Sequence, residues 1–135
     1  MLLLSETKEF DSSEQLISFV KEKIGSLSYE TVCVAYMGND NNLISLLELD
    51  RGTADSVETS IEELITYAFS LGCKRIMLFH NHPSGSSVPS ESDIIATKRL
   101  YKTAFINGVE LVDHIVISKS GHHSVFSVSP EIVLW

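Results

Sequence analysis

The sequence predicts an α/β domain in which helices cover a mixed β-sheet, the elements running in the order α-β-β-α-β-α-β-β. Three observations point there. Short apolar runs rich in valine, isoleucine and leucine alternate with longer stretches whose apolar residues recur at helical spacing. Turn residues separate these segments at short intervals, with no repeat, linker or low-complexity tract between them. The 135 residues suit one domain spanning 1–135 and leave no room for a second sizeable core.

The segment "DSSEQLISFVKEKI" offers Asp11 or Ser12 as a helix cap and sets Leu16, Ile17, Val20 and Ile24 on one helical face. "ETVCVAYM" is β-branched and apolar on both alternating faces, which suits an interior strand. "NDNN" at 39–42 then turns the chain into a second strand, "LISLLEL", to make a hairpin. After a loop "DRGTADS", the residues Ile61, Leu64, Ile65, Ala68 and Phe69 form the core stripe of a second helix that stops near Gly72. "RIMLF" reads as a short buried strand. Ile94, Thr97, Leu100, Tyr101 and Ala104 mark a third helix from Glu91 to about Asn107, ended by Gly108. "ELVDHIVIS" and "HSVFSV" read as two strands joined by a "KSGH" turn, with His122 and His123 expected in the hairpin turn.

Hydrophobic residues make up 44% of the chain and charged ones 21%, ordinary values for a globular protein. No apolar run approaches the roughly 20 residues that cross a bilayer, and the start lacks a basic region, so no membrane association and a cytoplasmic location are expected. Cys33 and Cys73 lie in apolar surroundings without CxxC spacing and read as buried small side chains. Ten basic against 18 acidic residues give a net charge of -8, which disfavours phosphate neutralisation and hence nucleic-acid binding. A strand at the sheet edge could pair two copies, so a homodimer stays open beside a monomer.

The chemistry concentrates in "HNHPSGSSVPSESD", His80 to Asp93. In extended chain, residues two apart point to one side, so His80 and His82 can reach one point at the end of their strand. Pro83 biases His82 toward extended backbone. Ser90 is a good helix cap, and Asp93 falls at the third helical position, where the dipole favours the ionised carboxylate. Two histidines and one carboxylate leave the fourth position of a tetrahedral Zn2+ free for water, the pattern of a catalytic site. Such a water ionises near neutral pH and needs a proton acceptor from elsewhere in the chain.

The spacing H-x-H-x7-S-x2-D, with a glutamate upstream at the head of a strand, resembles the JAMM/MPN metalloprotease signature. "HNHPSG" and the following "PS..D", with "GVELVDHIVIS" behind them, resemble more closely the RadC-like JAB domain of that superfamily, over about residues 11 to 128. The resemblance implies a three-layer cytidine-deaminase-like fold with helices on both faces of the sheet. It implies zinc ligands at His80, His82 and Asp93. It implies that Glu30 is the general base and proton shuttle, and that Ser90 helps hold the oxyanion. Glu48 and Glu58 are rivals to Glu30 for the base. Asn81, Ser84 and Gly85 are expected to shape the loop. Asp113 and His114 could bond a ligand histidine or serve only packing, while His122 and His123 are expected to lie outside the chemistry.

The expected function is a zinc-dependent metallohydrolase, a peptidase or isopeptidase with a peptide or isopeptide substrate. The alternative is a DNA-repair-associated or non-catalytic interaction module of the RadC-like family. RadC-like chains carry an N-terminal helix-hairpin-helix region, and only about ten residues precede the domain in this sequence, which weakens a role on DNA. The P-R-E expected before the second helix reads "TSIEE", so a basic residue at the rim is missing. The contiguous letters "HNH" do not match the dispersed residues of the nucleases so named. A zinc deaminase needs H-x-E and P-C-x-x-C, and neither occurs.

Overall fold

The computed structural model describes residues 2–39, 42–49 and 54–134, the side chains of 54–59 and of residue 134 excepted. A six-stranded mixed sheet runs through it. Its strands are β1 (Leu2–Ser5), β2 (Val32–Met37), β3 (Leu43–Glu48), β4 (Arg75–Asn81), β5 (Glu110–Ser118) and β6 (Gly121–Ser124), in the spatial order β1-β3-β2-β4-β5-β6. Neighbours are antiparallel except β4 and β5, which are parallel and are connected by a helical crossover. The helices are α1 (Ser13–Ile24), α2 (Ala54–Ser70), α3 (Glu91–Ile106) and α4 (Val125–Val128), followed by a 3-10 turn over Pro130–Leu134.

Strand alternation divides the core in two. Val32, Val34 and Tyr36 of β2 with Ile76 and Leu78 of β4 pack against Leu64 and Ala68 of α2 and Leu100 and Ala104 of α3. The intervening Cys33, Ala35, Met37, Met77 and Phe79 face the other way, onto Leu16, Val20 and Ile24 of α1. Both faces of β2 and β4 are therefore covered, which is why these strands read as unbroken apolar runs. Ser12 caps α1, its side chain accepting from Gln15 N–H at 3.2 Å. Gly108 (φ +77°) ends α3 in left-handed geometry, donating to Phe105 O while Val109 N–H reaches Ala104 O at 2.8 Å.

Three expectations need correction. β1, an edge strand paired with β3, was not anticipated, because four residues of "LLLS" carry no alternation. The second helix starts at Ala54, inside the stretch read as loop; residues 50–53 of that loop, and Asp40 and Asn41 of the "NDNN" turn, lie outside the described residues. "HSVFSV" is not one strand. β6 stops at Ser124, whose hydroxyl accepts from Ser127 N–H and donates to Asp113 Oδ2, and this cap turns Val125–Val128 into helix. His122 and His123 accordingly lie in β6 and not in the turn, paired with Ile117 and Val116.

Candidate metal centre

The same alternation that divides the core aims the histidines. His80 follows Ile76 and Leu78 onto the α3 side of β4, Asn81 turns to the opposite side, and His82 returns. Just beyond the strand, His82 N–H donates to Ile117 O at 2.7 Å. The chain then reverses over His82–Pro83–Ser84–Gly85, closed by Gly85 N–H to His82 O at 3.2 Å, with Gly85 at φ +101°. The β5–β6 hairpin holds this loop from outside: Ser120 Oγ donates to Gly85 O at 3.1 Å, and Ser87 Oγ lies 2.7 Å from His123 Nδ1.

Helix α3 brings the carboxylate. Ser90 and Asp93 form a reciprocal capping box, Asp93 N–H donating to Ser90 Oγ at 3.1 Å and Ser90 N–H to Asp93 Oδ2 at 2.9 Å. The carboxylate that caps the helix also faces both imidazoles. Asp93 Oδ1 lies 3.2 Å from His80 Nδ1, and Oδ2 lies 3.1 Å from His82 Nε2. One ligand atom from each of the three residues falls within 4.8 Å of the others.

Electrostatics tie the three together. Burial by itself raises the Asp93 carboxyl, but the hydrogen bonds from His80, His82 and Ser90 N–H outweigh it and hold the group well below the usual carboxylate range. The same bond to Asp93 holds His82 above its ordinary value against burial. His82 Nδ1 is committed to Ser86 O at 2.9 Å, which leaves Nε2 as the nitrogen turned toward Asp93. His80 Nε2 is buried with no hydrogen-bond partner. An orphaned imidazole nitrogen beside a buried carboxylate and a second oriented histidine is the donor set a divalent cation satisfies, and the group could hold a metal ion.

Glu30 sits at the rim, in the irregular segment before β2, with Oε2 3.9 Å from His80 Nε2 and the side chain 44% exposed. It lines a cavity of about 370 Å³ together with His80, His82, Ser84, Ser90, Ser92 and Asp93. The rival Glu48 is not in that lining; its Oε2 accepts from Thr31 Oγ1 at 2.8 Å. The side chain of Glu58 lies outside the described residues.

The Asp113–His114 pair divides its roles. Asp113 is a cap, accepting from the Ser124 hydroxyl and from the N–H groups of His114 and Phe126. His114 is buried, with its ring 6.2 Å from that of His80 and stacked on it, and its Nδ1 lies 2.6 Å from Thr97 Oγ1. Burial pushes His114 down to about 3, so it is neutral at physiological pH. Sequence reasoning missed Thr97 as its partner, although the i+4 spacing from Asp93 placed Thr97 on the same face of α3.

Comparison with known proteins agrees with this geometry. The RadC-like JAB domain family matches residues 10–130. A UPF0758 protein of Fusobacterium nucleatum is 32% identical over 123 residues, covering 91% of this chain and 53% of the relative. A UPF0758 protein of Vibrio cholerae is 30% identical over 111 residues, covering 82% of this chain and 70% of the relative. One of Finegoldia magna is 36% identical over 98 residues, or 73% of this chain and 44% of the relative. The chain thus spans about half the length of most of these relatives, and their names state no reaction. With a match across nearly its whole length and the His80, His82 and Asp93 side chains gathered at one point, the chain belongs to the RadC-like JAB domain family.

Proposed function

We propose that this domain is a zinc-dependent hydrolase of peptide or isopeptide bonds, with the cytidine-deaminase-like architecture its family resemblance implies. The observation that carries the reading is the placement of the exposed Glu30 carboxylate 3.9 Å from His80, at the mouth of a cavity whose floor is the His80–His82–Asp93 group. A zinc ion held by these three residues supplies a Lewis acid for the amide carbonyl and acidifies water. The remaining chemistry belongs to the chain. Glu30 Oε2 takes the proton of the attacking water and returns it to the leaving amine. Ser90 Oγ already accepts Asp93 N–H, so its hydrogen is available to the carbonyl oxygen as negative charge develops there. Ser92 Oγ lies 3.1 Å from Ser90 Oγ, within hydrogen-bond reach of that hydroxyl. The hydrogen bonds to Ser90 N–H and Ser86 O keep Asp93 and His82 fixed through the cycle.

The test is hydrolysis of a fluorogenic peptide and lysine-isopeptide panel by zinc-loaded wild type and Glu30→Gln. The substitution keeps shape and hydrogen bonding but removes the proton acceptor, so turnover falls by about 10²–10⁴ while bound zinc stays the same. Hydrolysis retained in Glu30→Gln removes Glu30 as the base, and no cleavage by wild type of any member of the panel counts against the hydrolase.

A further inference from the structure

Asn81 stands between the two ligand-forming histidines, yet alternation turns its side chain away from them and toward the chain before β2. There it uses both ends of its amide. Thr31 N–H donates to Asn81 Oδ1 at 2.6 Å, and Asn81 Nδ2 donates to Tyr29 O at 2.9 Å. The main chain adds Asn81 N–H to Thr31 O at 3.3 Å. The residue bracketed by these bonds is Glu30. Its segment, 27–31, lies outside helix and strand, so regular backbone bonding does not fix it. Thr31 and Asn81 are both buried, at 0% and 1% exposure, so the bond between them is made away from water, while the one to Tyr29 O is partly buried. Behind the bracket, Thr31 Oγ1 is anchored to Glu48.

We infer that Asn81 is a positioning residue: its side-chain amide clamps the backbone on both sides of Glu30 and thereby sets the carboxylate against the metal-ligating group. The inference rests on the reading of Glu30 as the base. Few side chains fit the task. An amide presents a donor and an acceptor in one plane; aspartate offers no donor to Tyr29 O, and alanine offers Thr31 N–H no acceptor. Because Asn81 is covalently between His80 and His82, any shift of the ligand strand carries the base with it. The distance from base to metal site is thus fixed through three consecutive residues, His80 and Asn81 at the end of β4 and His82 just past it.

The test is NMR on ¹⁵N-labelled full chain loaded with Co2+, a paramagnetic ion that accepts the same ligand types as zinc. Wild type is compared with Asn81→Ala and with Asn81→Asp, which keeps the size of the side chain and the Thr31 bond but sets an oxygen against Tyr29 O. The expected result is one Co2+ per chain in all three proteins. The paramagnetic shifts of Tyr29, Glu30 and Thr31 move in both variants, while those of Ser90 and Asp93 hold. Thr31 amide exchange quickens about tenfold or more in Asn81→Ala. Unchanged Glu30 shifts with Co2+ bound overturn the clamp and leave the hydrolase standing. Folded variants that lose Co2+ also overturn it, since Asn81 then serves the ligands and not the base. If wild type itself takes no Co2+, the metal reading fails first and the inference falls with it. Should Asn81→Ala fail to fold, Asn81→Asp decides alone.

Discussion

Thr97→Val removes one oxygen from the wall behind the metal group and keeps the side-chain shape. Thr97 is 0% and His114 2% exposed, and the threonine hydroxyl lies 2.6 Å from both Asp93 O and His114 Nδ1. Its single hydrogen goes to the carbonyl, so the imidazole must be the donor in the second bond. Valine leaves Asp93 O with its helical partner but strands the His114 Nδ1–H. His114 Nε2 already lacks a partner, so the variant buries an imidazole with neither nitrogen bonded. Stranding one buried donor costs about 1–3 kcal/mol. With an unfolding entropy of about 2.1 cal/mol/K per residue, 135 residues give roughly 0.28 kcal/mol per degree, so Tm falls by about 4–11 °C. Thr97→Ser keeps the hydroxyl and loses a methyl group, costing about 0.8 kcal/mol. The assay is calorimetric melting of the chelator-treated proteins at pH 7.5. A valine variant as stable as wild type, or more stable than the serine variant, would refute the bonded arrangement of Thr97 and His114.

Titration of His82 gives a second expectation. Its folded value is raised, so the stability it contributes is fully present below the ordinary 6.5 and is lost as pH rises through the folded value. Chelator-treated wild type should therefore exceed His82→Gln by more at pH 5.5 than at pH 8.5 in thermal melts, and a gap that widens with pH contradicts the bond to Asp93. Cys33 supplies a third. Burial first, and the Glu48 charge second, push its thiol up to about 12, and the side chain is fully enclosed between β2 and α1. Native protein should resist alkylation of Cys33 at pH 8 for as long as it stays folded, whereas labelling at the rate of a free thiol would show that this face of the sheet opens.

The unbroken apolar runs "VCVAYM" and "RIMLF" and the helical stripes after Asp11, Ile61 and Ile94 were legible because each depends on local pattern alone. So was the meeting of His80, His82 and Asp93, since a strand end, a proline and a helix cap fix their directions within fourteen residues. What sequence could not supply was partners distant along the chain. β1 exists because Leu2 and Leu3 find Glu48 and Leu47 on an open edge, and α4 exists because Ser124, the last residue of β6, caps it while bonded to Asp113. Asn81 read as a shaping residue, and the object it shapes lies fifty residues upstream in a segment without any periodic signal. Glu30 was expected at the head of its strand, whereas β2 begins two residues later and the glutamate stands free of the ladder at the cavity mouth.

Zinc content separates the metal reading from its rivals with one pair of proteins. His82 suits the comparison, because it lies past the end of β4 and its removal opens no hole in either core cluster. Elemental analysis of chelator-free protein should find about one zinc per folded wild-type chain and a loss of it in folded His82→Ala. Wild type that holds no zinc, even after zinc is added back, would contradict the site and leave "HNHPSGSSVPSESD" as a loop and helix cap without a metal.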